Sequence, residues 1–287
     1  MLEVSTVSAL REWVRAARSE GRRIGFVPTM GFLHEGHLTL VDAARRAADA
    51  VVMSVFVNPL QFAANEDFSR YPRDIPRDRA LAAGRGVDLL FTPSVDEMYP
   101  GGAEATAVRV VPGGAADQWE GAVRPGHFAG VLTVVAKLFH MVEPDIACFG
   151  QKDIQQLTLV RGMVRDLNWP LAIALVPTVR EPDGLALSSR NVYLSAADRQ
   201  QALGLSRSLA AAAAAWAGGE HGADRLATVM RTILADFPGV AVDYLAIVEP
   251  NQLAPVAVAV PGTILAIAAR VGTTRLIDNV IVGEALA

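Results

Sequence analysis

The side chains best suited to chemistry gather first at Pro28-Thr29-Met30-Gly31-Phe32-Leu33-His34-Glu35-Gly36-His37. Two imidazoles, His34 and His37, stand three residues apart between an apolar run at 24–27 and a stretch at 38–47 whose apolar spacing predicts a helix. Strand, glycine-punctuated turn, helix is the order a phosphate site requires. A helix start leaves backbone N–H groups free and carries a partial positive charge. Pro28 has no N–H to lose there, and Gly31 and Gly36 let the backbone approach a ligand closely. If the segment is helical, both rings lie on one face and can donate to phosphate oxygens. Two other readings stay open: a metal pair, which would want a third ligand and a supporting carboxylate, or exposed polar residues. Glu35 lies between the two but on helical geometry points elsewhere.

Three further stretches carry polar groups at comparable places. A β-rich run at 50–57 ends in Asn58-Pro59-Leu60-Gln61-Phe62. Ligands of open α/β sheets bind beyond the carboxyl ends of strands, so Asn58 and Gln61 can offer amides there. On these residues alone, a plain turn with a solvated Gln61 is favoured. A strand at 145–150 runs into Gly150-Gln151-Lys152-Asp153 and a helix carrying Gln155 and Gln156, which puts a cation where a phosphate would sit. Leu187-Ser188-Ser189-Arg190-Asn191 combines hydroxyls, a guanidinium and an amide in one loop able to close over a triphosphate. Its plainer reading is a turn before the helix that Ser195 caps. Asp74 and Asp78 are within reach of a metal ion carried by a triphosphate, although a solvated helix start accounts for each.

These residues need a scaffold, and the periodicities supply one. The pattern predicts a helix over 5–20 capped by Ser5 or Thr6, with Leu10, Trp13, Val14 and Ala17 on one face. Strands at 24–27 and 50–57 flank the helix at 38–47 as a βαβ unit. A polar loop with Asn65, Glu66, Asp67 and Arg70 precedes a helix at 77–84 and a strand at 87–91. A short β-like patch is expected at 107–111, then an apolar helix at 131–142 that Lys137 interrupts and Pro144 ends. A strand at 171–176 closes this part. Beyond it come a helix starting near Ser195, an alanine-rich helical stretch at 210–217, a helix at 223–236, a strand at 240–248, and an antiparallel pair at 263–269 and 276–282. The expected fold class is α/β: a Rossmann-like parallel-sheet domain at 1–178 and a smaller C-terminal α/β domain at 179–287 that closes over the active site.

Composition sets the outer bounds. The chain has 287 residues, 52% of them apolar, which is ample for a core and argues against disorder. A net charge of −4 without a basic block makes nucleic acid an unexpected partner. Cys148 is the only cysteine, so no intrachain disulfide is available, which suits a reducing compartment. No leader-like N-terminus and no bilayer-length apolar run is evident. The expectation is a cytoplasmic protein with no membrane partner.

Taken together, the stretches resemble one family. His34-Glu35-Gly36-His37 is similar to the H-x-G-H element of the HIGH nucleotidyltransferase superfamily, and Leu187-Ser188-Ser189-Arg190 resembles its second, KMSKS-like element. With residues 56–62, 127–131, 149–157 and 176–191, they look like the ordered blocks of the pantothenate synthetases (pantoate–β-alanine ligases). The match runs over roughly residues 20–195 and more weakly to the C-terminus. The resemblance implies condensation of pantoate with β-alanine, driven by ATP with Mg2+, through a pantoyl adenylate, in a homodimer. It implies that His34 and His37 contact phosphates, with His37 as proton donor to departing pyrophosphate. Lys152 would neutralise the triphosphate, and Ser188, Ser189 and Arg190 would grip its β- and γ-phosphates. Met30, Gly31, Phe32, Leu33, Glu35, Gly36, Gly150, Gln151, Asp153, Val179 and Leu187 would line the ATP site, Asp153 at the ribose. Gln61 and Gln156 would hold pantoate, Gln61 near β-alanine, and Asp78 is the weaker candidate beside magnesium. Leu187 stands where relatives often carry Met, Gln151 where many carry Glu, and Arg77 precedes Asp78 where relatives can be more acidic. The rival readings are a nucleotidyltransferase that stops at AMP transfer, an aminoacyl-tRNA synthetase, and a nucleotide-binding regulator without catalysis.

Overall fold

Apolar runs of β-branched residues separated by helices build an all-parallel sheet in the computed structural model of the chain, which describes residues 1–62, 68 and 71–283. Its strands are β1 (Leu2–Val4), β2 (Ile24–Thr29), β3 (Ala50–Val55), β4 (Leu89–Phe91), β5 (Ile146–Gly150) and β6 (Ala172–Val176), in the order β1-β4-β3-β2-β5-β6. β3 is buried at every position, as expected of a parallel strand covered on both faces. β2 pairs with β3 on one side and with β5 on the other. The chain therefore reverses its direction of travel across the sheet at β2, the kind of switch point beyond whose strand ends open α/β sheets bind ligands.

The helices among these strands are α1 (Val7–Ser19), α2 (Glu35–Ala47), α3 (Ile75–Gly84), α4 (Val95–Met98), α5 (Glu120–Val123), α6 (His127–Val142) and α7 (Ile154–Asp166). Thr6 caps α1 by accepting from the Ala9 amide at 3.3 Å, and Leu10, Val14 and Ala17 form its buried face. Asp74 caps α3 by accepting from the Arg77 amide at 3.1 Å. α6 is buried along most of its length. Lys137 stays compatible with that helix by placing its ammonium 5.4 Å from the centre of the Tyr99 ring.

The chain divides into two compact units, Met1–Gly150 with Leu159–Val176, and Gln151–Thr158 with Pro177–Ala287. In the second, α8 (Ala196–Ala217) and α9 (Ala223–Leu234) accompany an antiparallel sheet in the order β7-β8-β9, formed by Val240–Val248, Ile264–Val271 and Thr274–Ile281. Its core includes Leu203, Leu209, Leu226, Met230, Leu265, Ile267 and Val280. Ser195 caps α8, accepting from the Asp198 amide at 3.1 Å.

The structure departs from the sequence reading at several points. The pattern gives no sign of β1, because three residues at the chain start are too short to show a period. Residues 107–111 form no strand, because the Val110 amide donates to the Thr133 hydroxyl at 3.0 Å instead of to a ladder. Val108 and Val111 remain 82% and 78% exposed. Residues 151–158, read with the first domain, count with the second unit, where the Thr158 hydroxyl donates to the Pro250 carbonyl at 3.3 Å. Asn65, Glu66, Asp67 and Arg70 of the polar loop lie outside the described residues. No helix among the described residues is long and apolar enough to cross a membrane.

Candidate active site

The turn between β2 and α2 is fixed by a buried carboxylate. Asp78, on α3, accepts from the Phe32 amide at 2.8 Å and from the Leu33 amide at 2.7 Å, and is 1% exposed. Gly31 and Phe32 both take positive φ, 84° and 51°, which turns successive N–H groups toward the carboxylate. A Cβ on Gly31 would stand 2.7 Å from Val55 Cγ1 and 2.9 Å from Asp78 Oδ2, so glycine is required twice over. The Thr29 hydroxyl accepts from the Gly31 amide at 3.2 Å and donates to the Ser54 carbonyl at 2.7 Å.

This scaffold sets the two imidazoles at the start of α2. His34 is the N-cap in extended conformation, so the two histidines do not share a helical face as the spacing suggests. The rings still meet, with centroids 4.0 Å apart. His37 Nδ1 accepts from the His34 amide at 3.3 Å. In the neutral imidazole that places the proton on Nε2. Glu35 faces away from them and, with Asp42, pairs with Arg85.

The turn after β3 is a second prepared edge. Asn58 is 1% exposed and fully used by the scaffold. Its Oδ1 accepts from the Tyr99 hydroxyl at 2.8 Å and the Leu60 amide at 3.3 Å, and its Nδ2 donates to the Gly130 carbonyl at 3.1 Å and to Gln61 Oε1 at 3.2 Å. Burial pushes the Tyr99 hydroxyl far above its ordinary pKa, so it remains a donor. Gln61 is 8% exposed, not solvated, and its Nε2 lies 2.9 Å from Met30 Sδ. The Gln61 carbonyl accepts from His127 Nδ1 at 2.8 Å. Nearby, a cleft of about 230 Å3 is lined by Met30, Val55, Phe56, Ile75 and Asp78 among others.

The second unit carries the remaining candidates on two loops. Gln151, Lys152 and Asp153 form a short 3-10 turn, with Lys152 half-buried and Asp153 exposed. Gln156 follows, half-buried, in the first turn of α7. Val179 and Leu187 face each other, the Leu187 amide donating to the Val179 carbonyl at 2.9 Å. Ser188 caps the turn Ser189–Tyr193, its hydroxyl accepting from the Arg190 amide at 3.2 Å. Arg199 holds this loop through Glu181 at 2.8 Å and Asp183 at 2.7 Å. The Arg199 guanidinium keeps the Glu181 carboxyl below its usual range. Two supporting residues have no local signal in the sequence. Asn279 bonds the 151–153 turn, and Asp278 pairs with Arg180 at 2.7 Å.

Two other chemistries find no support in the side chains. Among the described residues no three His, Cys, Asp or Glu side chains gather to hold a metal ion. Asp78, the candidate beside magnesium, accepts one backbone N–H on each oxygen. Cys148 is buried in β5, and burial pushes its thiol up to about 11, so it is inert as a nucleophile.

A doubly wound parallel sheet with imidazoles at a helix start and a cation on a strand–turn–helix junction defines a nucleotide-handling α/β protein. The family model described as pantoate-beta-alanine ligase matches residues 3–281. Pantothenate synthetase of Moorella thermoacetica is 52% identical over 278 residues, covering 97% of each chain. A crystal structure of pantothenate synthetase from Thermus thermophilus superposes with a TM-score of 0.91 at 52% identity, covering 98% of this chain and 99% of that one. The Francisella tularensis pantoate-beta-alanine ligase, complexed with beta-gamma ATP and beta-alanine, gives 0.78 at 31% identity over 100% of both. The chain belongs to the pantoate–β-alanine ligase family, whose reaction forms a C–N bond.

Proposed function

We propose that this chain activates the carboxylate of pantoate with ATP and transfers the pantoyl group to the amine of β-alanine. A carboxylate oxygen of pantoate attacks the α-phosphorus, and the bond from that phosphorus to the bridging oxygen breaks, releasing pyrophosphate. The amine of β-alanine then attacks the acyl carbon of pantoyl adenylate. The C–O bond to AMP breaks, and the amine sheds a proton to solvent. Neither step needs a protein nucleophile, which agrees with an inert Cys148. What the protein must supply is charge stabilisation at the phosphates.

The observation that carries this reading is the histidine pair, rings 4.0 Å apart, with the His37 proton directed to Nε2 by the His34 amide. In our assignment His37 donates to the departing pyrophosphate and His34 contacts the phosphates. Lys152 neutralises the triphosphate, and Ser188, Ser189 and Arg190 hold the β- and γ-phosphates. Met30, Gly31, Gly36, Gly150, Gln151, Val179 and Leu187 line the nucleotide, and Asp153 takes the ribose hydroxyls. Phe32 and Leu33 serve by shape, since their amides are turned to Asp78. Gln61, held rigid by Asn58, hydrogen-bonds pantoate together with Gln156, and the apolar wall of Met30, Val55 and Ile75 suits a branched aliphatic acid.

The described residues do not form a cage for magnesium, and Asp78 stands as the weaker candidate beside it. An ion of this kind is usually held largely by substrate phosphates, so we place it with ATP. A homodimer is proposed from the resemblance. A cytoplasmic location is proposed from the lone reduced cysteine, whose thiol is buried. Mass spectrometry of products from ATP, magnesium, D-pantoate and β-alanine, each omitted in turn, tests the whole reading. Pantothenate and AMP are expected only in the complete mixture. ATP consumption without pantothenate would point to another acid or acceptor, and no turnover by folded protein would favour a regulator.

A further inference from the structure

We infer that Asn279 is a positioning residue for Lys152, and that with its neighbour Asp278 it ties the two phosphate-facing loops of the second unit to one strand. The inference rests on the proposed contact of Lys152 with the triphosphate.

Asn279 is 1% exposed on β9, and its amide is fully used on one short turn. Nδ2 donates to the Gln151 carbonyl at 3.0 Å and to the Lys152 carbonyl at 3.0 Å, while Oδ1 accepts from Gln151 Nε2 at 3.2 Å. Two donors and an acceptor in one plane fix both the position and the tilt of consecutive peptide groups. The Lys152 Cα is set by those peptides, so the origin of its long side chain is fixed.

The adjacent residue performs the matching task on the other loop. Asp278 is 3% exposed and takes a two-pronged bond from Arg180, at 2.7 and 3.0 Å. Arg180 also donates to the Gly184 carbonyl at 3.2 Å, across the loop whose two sides join at Val179 and Leu187 just before Ser188. The Asp278 carboxylate further accepts from the Asn279 backbone N–H at 2.8 Å. Successive side chains on a strand point to opposite faces, so one dipeptide reaches two loops without bending. Buried polar groups this completely satisfied are rigid, and β9 is held along its length by β8. An internal stability role alone would require no such bonding to the backbone of the lysine itself.

The test is a double-mutant cycle read in ATP binding and in turnover, using the full chain. Asn279→Ala is expected to fold, to lower kcat/KM for ATP by about tenfold to a hundredfold, and to leave KM for β-alanine within about twofold. Lys152→Ala is expected to weaken ATP binding measured by calorimetry. The double variant is expected to bind ATP within about twofold of Lys152→Ala alone, because Asn279 acts through that side chain. Losses that multiply in full in the double variant would overturn the inference, as would unchanged kcat/KM in folded Asn279→Ala. Should the alanine variant fail to fold, Asn279→Ser, which keeps a hydroxyl donor, carries the same comparison. If Lys152→Ala itself retains ATP affinity and turnover, the role of Lys152 fails, a result distinct from failure of the positioning.

Discussion

The two strand–turn–helix junctions of this chain look alike in sequence and are anchored in opposite ways. The turn after β2 bends through two residues of positive φ and turns its N–H groups onto an acceptor, the Asp78 carboxylate. The turn after β5 presents carbonyls, and its anchor is a donor, the Asn279 amide. Each anchor matches the polarity its turn leaves over, as buried backbone groups demand. The electrical consequence differs. The first junction sets a buried carboxylate beneath the turn to which we assign the phosphates, so in that assignment the attraction for anions falls to the start of α2 and the imidazoles. The second has a neutral anchor and carries its own cation, Lys152. One turn is rigid with mild donors; the other is a charged side chain on a braced origin.

That contrast predicts an order of effects. Lys152→Ala should cost most in chemistry, about 3 kcal/mol or roughly two orders of magnitude in kcat, with little change in thermal stability. Steady-state rates and a melting curve on the same sample check it; full activity in a folded variant would remove the cation from the mechanism. Asp78→Ala should act the other way round. It orphans two buried N–H groups, at about 1–3 kcal/mol each, so the melting temperature should fall first and activity should follow because the His34–His37 turn loosens. Were Asp78→Ala as stable as the parent, the turn would have to find its order elsewhere. Gly31→Ala should cost about 1–3 kcal/mol from left-handed strain and from contact with Val55, with denaturant midpoints as the readout. The Cys148 thiol, raised to about 11, should resist iodoacetamide at about pH 8, below that value but near the ordinary thiol range, in native protein and react once unfolded.

How much of this is legible in the sequence depends on range. Both junctions are legible because strand, glycine and helix start are contiguous and each has a local period. So is the antiparallel pair β8 and β9, separated by one short turn. The anchors are not. Asp78 lies 45 residues from Leu33, and Asn279 lies 127 residues from Lys152, so no window contains both partners. Asp78 reads as a solvated helix-start carboxylate for that reason, and Asn279 as one more polar residue in a strand. Gln61 shows the same limit: its surroundings in sequence suggest solvent, whereas Asn58 and Met30 enclose it. The β-like patch at 107–111 errs in the other direction, since β propensity without a partner strand builds nothing.

The smallest expected effect separates the two regions by pH. The loop that carries Ser188 and Arg190 is held in part by Arg199 with Glu181 and Asp183, at 2.8 and 2.7 Å, and these side chains are about a quarter to a third exposed. The Arg199 guanidinium holds the Glu181 carboxyl below the usual carboxylate range, against some burial, with Asn191 helping. A depressed carboxyl contributes stability that is complete above its unfolded value and lost as pH falls through its lower folded value. The gain is modest, about 1 kcal/mol or less, because exposed pairs are screened. Glu181→Gln should therefore lower the melting temperature slightly near neutral pH, and the gap from the parent should close as pH drops below about 4.3, the ordinary value for a glutamate. Raising ionic strength near neutral pH should narrow it too. No gap at any pH would mean that Glu181 holds the loop through the hydrogen bond from Asn191 Nδ2 to its Oε1 at 2.9 Å, an acceptor that glutamine keeps. The second region would then be braced by neutral amides throughout, as Asn279 braces the Lys152 turn, and the polarity contrast with Asp78 would sharpen.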